Sequence, residues 1–256
     1  MNDERMTFEE TGAKLARLID ESVAKAVSGH SKVAVAFSGG LDSSVVARCA
    51  RDKTKVLACT AFVRGSRDSR SAEQGAAALG IELMTTELTK DLVDSELDEM
   101  TLGFQPTLMD RSLWCIYYAV ARTASRAGAE KILLGQLSDE LFGGYAKYES
   151  ALASHGKGQA ADCMDMDIEE YMTRGIARDT NACSAWLEPG FPFTEKAVVE
   201  FGRSIPVSYK IRDGVRKAVL REAASILGVP EELASAAKKA AQYSSGIQKI
   251  VRSSRF

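Results

Sequence analysis

The chain has 256 residues, 45% hydrophobic and 27% charged, with a formal net charge of −2 and a pI near 5.9. That composition suits a soluble globular protein with one large core, or a core plus an appendage. It carries no whole-chain basic footprint for nucleic acid and no apolar run near the ~20 residues of a membrane span. The charged opening MNDERMTFEE is unlike a signal peptide. The five cysteines (Cys49, Cys59, Cys115, Cys163, Cys183) are scattered and form no C-x-x-C, which fits a reduced, cytoplasmic setting. The two histidines, His30 and His155, make no metal-ligand spacing.

Residues 7–27 place Phe8, Leu15, Leu18, Ile19, Val23 and Val27 at helical spacing, closed by Ser28-Gly29-His30-Ser31. A buried-strand run follows at 32–37, then Ser38-Gly39-Gly40-Leu41-Asp42-Ser43-Ser44, then a helical pattern over about 43–52. A glycine-rich turn from a strand into a helix aims several backbone N–H groups at one point, and the helix dipole adds to the field there. Three serine hydroxyls and one aspartate around such an anion site suit pyrophosphate and its magnesium ion. The turn is neither G-x-x-x-x-G-K-[ST] nor G-x-G-x-x-G, so it is not a Walker loop or a dinucleotide fingerprint.

Lys55 to Phe62 reads as a strand, 69–80 as a helix ending at Gly80, and Ile81 to Thr85 as a short strand. The acidic stretch Glu87, Asp91, Asp94, Glu96, Asp98, Glu99, against Lys90 alone, reads as a solvated helix face. Residues 110–127 are helical and apolar on one side. Asp110, Arg111, Tyr117 and Tyr118 lie there; some could line an acceptor pocket, with core packing the simpler role for the tyrosines. Gly128 breaks that helix, and Lys131 to Gly135 reads as another buried strand. Alternating strands and helices predict an α/β fold, a doubly wound parallel sheet with helices on both faces and ligands at the carboxyl ends of its strands.

Residues 149–170 are small, polar and acidic, and read as a mobile loop or weak helix, a candidate lid. Residues 171–256 lack strand patterning, predict a helical C-terminal extension, and turn basic after Lys210. The expected organisation is an N-terminal helix at 1–30, a nucleotide domain at 31–148 and a helical part of the same unit at 149–256.

After the fourth strand comes Gln136-Leu137-Ser138-Asp139-Glu140-Leu141-Phe142-Gly143-Gly144-Tyr145. Alone it could be a capped helix, with Ser138 as N-cap and Asp139 and Glu140 in the first turn. Facing Ser38–Ser44 across the rim, its carboxylates could instead hold magnesium from the opposite side.

SGGLDSS resembles the pyrophosphate (PP) loop of the N-type ATP pyrophosphatases. Followed by G-x-x-SDELFGGY and by KKAAQYSSG at Lys238–Gly246, it is similar to the synthetase domain of asparagine synthetase and β-lactam synthetase. The resemblance covers roughly Lys32 to Gly246 and implies an adenine nucleotide α-hydrolase-like fold, with ATP and Mg2+ as cofactors. It implies that Ser38, Gly39, Gly40, Leu41, Ser43, Ser44, Gly135 and Gln136 bind the nucleotide, that Asp42 and Asp139 coordinate magnesium, and that Lys239 or Lys238 neutralises the leaving pyrophosphate. The implied reaction adenylylates a small-molecule carboxylate, and ammonia or an amine then displaces AMP to leave an amide.

Two departures bear on that reading. The second residue is Asn2, where glutamine-hydrolysing members carry a catalytic cysteine, so ammonia is expected to be free or delivered by a separate glutaminase subunit. Gln136 stands where asparagine-forming members commonly carry glutamate, and an amide cannot take a proton at neutral pH. A tRNA-modifying PP-loop enzyme and a non-catalytic ATP-binding subunit are the alternatives. A homodimer stays open, and a nucleic-acid partner is not favoured.

Overall fold

The computed structural model describes residues 6–66, 68–235 and 246–254. The expected Lys238 and Lys239 lie outside the described residues.

Five parallel strands form the central sheet: β1 (Lys32–Ala36), β2 (Lys55–Phe62), β3 (Glu82–Glu87), β4 (Lys131–Leu133) and β5 (Glu188–Gly190), in the order β3-β2-β1-β4-β5. β1, β2 and β4 are apolar on both sides because each side of the sheet has its own core. Val33, Val35, Phe37, Val56, Ala58 and Leu133 face one core, while Ala34, Leu57, Cys59, Ala61, Ile132 and Leu134 face the other. That is the period-2 alternation of strand side chains. The first core is closed by α1 (Phe8–Val27), α2 (Leu41–Arg51), α3 (Asp68–Leu79), α9 (Lys196–Ser204), α11 (Ala218–Ile226) and α12 (Glu231–Ala234). The second is closed by α4 (Lys90–Leu97), α5 (Leu108–Arg126), α8 (Ile176–Ser184) and a C-terminal α13 (Ile247–Ser253).

The doubly wound parallel sheet is therefore present as expected. From β1 the chain winds toward β2 and β3, and from β4 it winds the other way to β5. The reversal opens a crevice at the carboxyl ends of β1 and β4, where open α/β sheets bind ligands. The glycine-serine loop leaves β1 at that rim, and the S-D-E segment leaves β4 beside it as the single turn α6 (Ser138–Phe142).

Two readings change, and a third, the loop or weak helix over 149–170, settles on the helix. Residues 149–170 belong to a helix, α7 (Ala146–Glu170), interrupted at Gly156, whose φ is +82°. Tyr148, Ala160, Met164 and Ile168 are its buried residues, and three of them pack with Val207 and Ile211 near α10 (Val207–Lys210). The C-terminal part is mostly helical but not free of strands. Glu188–Gly190 adds the sheet's edge strand, where a proline costs no ladder hydrogen bond. Ile211–Arg212 and Val215–Arg216 (β6 and β7) form a hairpin on the two-residue turn Asp213-Gly214, both at positive φ. Lastly, the acidic stretch is not wholly solvated: Glu96 is buried on α4 and ion-paired at 3.0 Å with Arg122 of α5.

Candidate active site

The loop after β1 owes its shape to Gly39. Its φ is +72°, and a Cβ there would lie 2.1 Å from the backbone oxygen of Ser71 in α3. No other residue type offers both that conformation and that approach. Within the loop, the Ser43 hydroxyl donates to the Gly40 carbonyl at 3.2 Å, and the Gly40 N–H donates to the Ser38 hydroxyl at 3.3 Å. These are long for hydroxyl hydrogen bonds, so the groups are loosely engaged by one another. Gly135, at the end of β4, packs against the backbone of Asp42, where a Cβ would lie 3.1 Å from its carbonyl carbon. The two loops are thus in direct contact.

Beside them, α6 is bracketed by left-handed residues, Leu137 (φ +74°) and Gly143 (φ +75°). Leu137 is buried in the first core, which pins the strained residue in place and turns Ser138, Asp139 and Glu140 toward the rim. The Tyr145 hydroxyl donates to Glu140 at 2.7 Å. Burial pushes the Glu140 carboxyl above its usual range, and that hydrogen bond only partly opposes the shift.

The centre of the site is Lys217, which the sequence reading left without a role. It follows the β6–β7 hairpin in a left-handed conformation, φ +57°, and it is 3% exposed. Its Nζ pairs with Asp42 Oδ1 from the first loop and lies 2.7 Å from Asp139 Oδ1 and 2.9 Å from Ser138 Oγ. Burial pulls its pKa below the usual lysine value, while Asp42 pulls the other way. A left-handed non-glycine residue costs about 1–2 kcal/mol, and two carboxylates hold this one. Arg216 ties the hairpin to the glycine turn by donating to the Gly144 carbonyl at 2.9 Å. At Gly144 a Cβ would lie 1.8 Å from Asp139 Oδ1, so only glycine leaves room for that carboxylate.

Asp42, Asp139, Glu140, Tyr145 and Lys217 line a cavity of about 480 Å³, within the usual range for small-molecule sites. Of the residues expected from sequence, Ser38, Gly40, Leu41, Asp42, Ser43, Gly135, Gln136 and Asp139 line it. Gly39 and Ser44 are buried behind the loop and do not, and the Ser44 hydroxyl has no hydrogen-bond partner among the described residues. One wall is apolar: Ala36, Phe37 and Ala61 at the strand ends, and Leu113, Ile116 and Val120 on α5. Cys59 is the single cysteine on the lining, with a thiol that burial pushes up to about 12.

A polar network also borders the cavity. Asp110 caps α5, accepting from the N–H and hydroxyl of Thr107 at 2.9 and 2.7 Å. It also pairs with Arg174 at 3.0 Å and Arg178 at 3.2 Å. Burial raises the Asp110 pKa, but Thr107 and the two arginines outweigh it and hold the carboxyl below its usual value. Arg178 Nε donates to Asp179 at 2.7 Å, and the other oxygen of Asp179 accepts from Gln136 Nε2 at 3.0 Å and Tyr171 at 3.1 Å. Tyr171 and Arg174 come from a π turn, Tyr171–Gly175, between α7 and α8; such turns recur at functional sites. Tyr117 lines the cavity, whereas Tyr118 stacks on Trp114 in the core at 4.7 Å.

Two carboxylates converging with a hydroxyl make a hard, all-oxygen donor set. Mg2+ suits such a set, because it takes one or two carboxylates and fills its other positions with water and phosphate oxygens. A buried ammonium between the two carboxylates indicates that this spot favours positive charge. Asp42 and Asp139 therefore fit the ion, and among the described residues no group of three or more His, Cys, Asp or Glu offers a protein-only cage.

The family model described as asparagine synthase matches residues 14–164 and 153–254. A relative from Methanocaldococcus jannaschii, named "Putative asparagine synthetase (glutamine-hydrolyzing) 1", is 28% identical over 279 residues, covering 96% of this chain and 51% of the relative. Asparagine synthetase domain-containing protein 1 of Mus musculus is 25% identical over 312 residues, covering 94% of this chain and 50% of its own. The chain thus spans about half the length of these relatives. NMN synthetase from Francisella tularensis superposes with a TM-score of 0.46 at 12% identity, over 98% of this chain and 89% of that one, a likeness too weak to bear on the reaction. With the family's pattern running through nearly its whole length, the chain belongs to the asparagine synthase family.

Proposed function

We propose that the chain is an ATP-dependent amide ligase that releases AMP and pyrophosphate, adenylylating a carboxylate and passing ammonia or an amine to it. The observation that carries this reading is the buried Lys217 ammonium between Asp42 and Asp139 at the mouth of the SGGLDSS loop. A site for α,β-cleavage of ATP needs anion-binding N–H groups, metal carboxylates and a fixed cation at one point.

The Ser38–Ser44 loop binds the β- and γ-phosphates through its N–H groups and hydroxyls, which become pyrophosphate on cleavage. The apolar wall of Ala61, Leu113, Ile116 and Val120 takes the adenine. The acceptor carboxylate lies toward Gln136 and Arg178, and one of its oxygens displaces pyrophosphate at the α-phosphorus. Lys217 offsets the charge that builds on the departing pyrophosphate, and its burial makes that charge count for more than it would in water. Asp42 and Asp139 would hold Mg2+, which would supply further charge neutralisation. The chain's own contribution to the first step is positioning and preset electrostatics. Sulfur transfer fits less well, since the only thiol on the lining is Cys59, held protonated by burial.

The test is pyrophosphate release from ATP and Mg2+ with ammonium present, over a panel of carboxylates that includes aspartate. Release that depends on one carboxylate, with AMP as co-product, is expected. Cleavage to ADP and phosphate, or silence with every carboxylate despite ATP binding, would overturn the reading.

A further inference from the structure

Tyr117, on α5, is a buried phenol whose polar end the fold leaves unused. The residue is 8% exposed and lines the cavity. Its hydroxyl makes no hydrogen bond among the described residues, and it is not among the atoms sealed from solvent, so it opens on the cavity. A buried hydroxyl without a partner is costly. Phenylalanine would fill the same space without that cost, so packing alone does not account for a tyrosine here. Its neighbour in sequence behaves differently: Tyr118 stacks on Trp114 in the core.

The charges that act on the Tyr117 hydroxyl identify its surroundings. They are those of Asp179, Arg178 and Glu140. Burial first, and then Asp179, hold the phenol protonated, so it is an O–H donor. Arg178 is 4% exposed and lines the cavity as well. Its Nε donates to Asp179 at 2.7 Å and its Nη1 to Asp110 at 3.2 Å, while its Nη2 makes no hydrogen bond among the described residues. Two buried side chains that feel each other's field thus each keep a donor for the cavity, one neutral and one cationic.

We propose that Tyr117 Oη donates a hydrogen bond to the carboxylate of the acceptor substrate, with Arg178 Nη2 as the second donor. A carboxylate has about four lone-pair directions, so two donors can hold it and still leave an oxygen lone pair for the α-phosphorus. A phosphate group could accept from the same donors. Asp179 beside them makes a single negative charge the better fit, and the Ser38–Ser44 loop with Lys217 already serves the phosphates. This inference rests on the amide-ligase reading above and names a residue that binds its acceptor.

The experiment uses Tyr117→Phe, which keeps the ring and removes only the hydroxyl. Pyrophosphate release is measured at saturating ATP, Mg2+ and ammonium while the carboxylate is varied (aspartate tried first, then the first acceptor that supports release). Loss of a hydrogen bond to a charged group is expected to lower kcat/KM for the carboxylate about 10- to 100-fold, mainly through KM. The affinity for ATP, measured by equilibrium binding without carboxylate, should not change, and the ligand-free variant should melt no lower than the unaltered chain. Unchanged carboxylate kinetics would make the hydroxyl a spectator and overturn the inference. A fall in ATP affinity with the carboxylate KM unmoved would place the hydroxyl on the nucleotide and overturn it too. A lower melting temperature with parallel losses for both substrates would reduce Tyr117 to a packing role. Absence of pyrophosphate release from the unaltered chain with every carboxylate would instead sink the ligase reading itself.

Discussion

Lys217 is the residue on which the site turns, and it was hidden in the sequence. Its partner Asp42 lies 175 residues away, and nothing local to a basic stretch distinguishes one lysine from its neighbours. The Asp213-Gly214 turn signal was the one available clue, since it predicts a hairpin that would deliver the next residue to a fixed place. Asp42, Asp139 and most of the serines could be placed on one rim from sequence because position is local: a strand, then a glycine turn and a helix start, marks the carboxyl end of a strand. The pairing also changes what a substitution does. Lys217→Met leaves two carboxylates facing each other without their ammonium, so the expected variant has no measurable pyrophosphate release. Its melting temperature should fall in EDTA and rise on adding Mg2+ by more than that of the unaltered chain, because the ion then replaces a missing charge. Equal Mg2+ shifts in the two proteins would place the ion elsewhere.

At the scale of elements, periodicity revealed what is amphipathic and missed what is not. β1, β2 and β4 were readable as apolar runs bounded by turns. β5 is Glu-Pro-Gly, three residues with no strand pattern, made a strand only by pairing with β4. The helix over 146–170 has few apolar residues and a break at Gly156, so its sequence resembles a loop. On α4, Glu96 is one acidic residue among several, and only the packing of α4 on α5 distinguishes it. Burial raises its pKa from 4.5 to about 7, with Arg122 pulling the other way. A raised carboxyl pKa gives stability that is fully present below the unfolded value and is lost as pH rises from about 4.5 to about 7. Glu96→Gln removes the buried charge, so the variant is expected to melt higher than the unaltered chain at pH 8, with the gap closing toward pH 4.5. A variant that melts lower at pH 8 would mean the Arg122 pair outweighs the cost of burial.

For the whole molecule, the sheet's winding brings every part of the site to one rim. The β1 loop supplies Asp42, the β4 loop supplies Asp139 and Gln136, the π turn supplies Tyr171 and Arg174, and the late hairpin supplies Lys217. These contacts span most of the chain, so the apolar lining and the polar network meet only in the folded whole. The central claim is that a carboxylate oxygen attacks the α-phosphorus of ATP in that crevice. The most direct measurement uses an acceptor carboxylate labelled with ¹⁸O, incubated with ATP, Mg2+ and ammonium, with the isotope then located in the products. One label per turnover in the phosphate of AMP, with the other retained in the amide, is the expected result. AMP free of label, or label appearing only in inorganic phosphate beside ADP, would contradict adenylylation at this site.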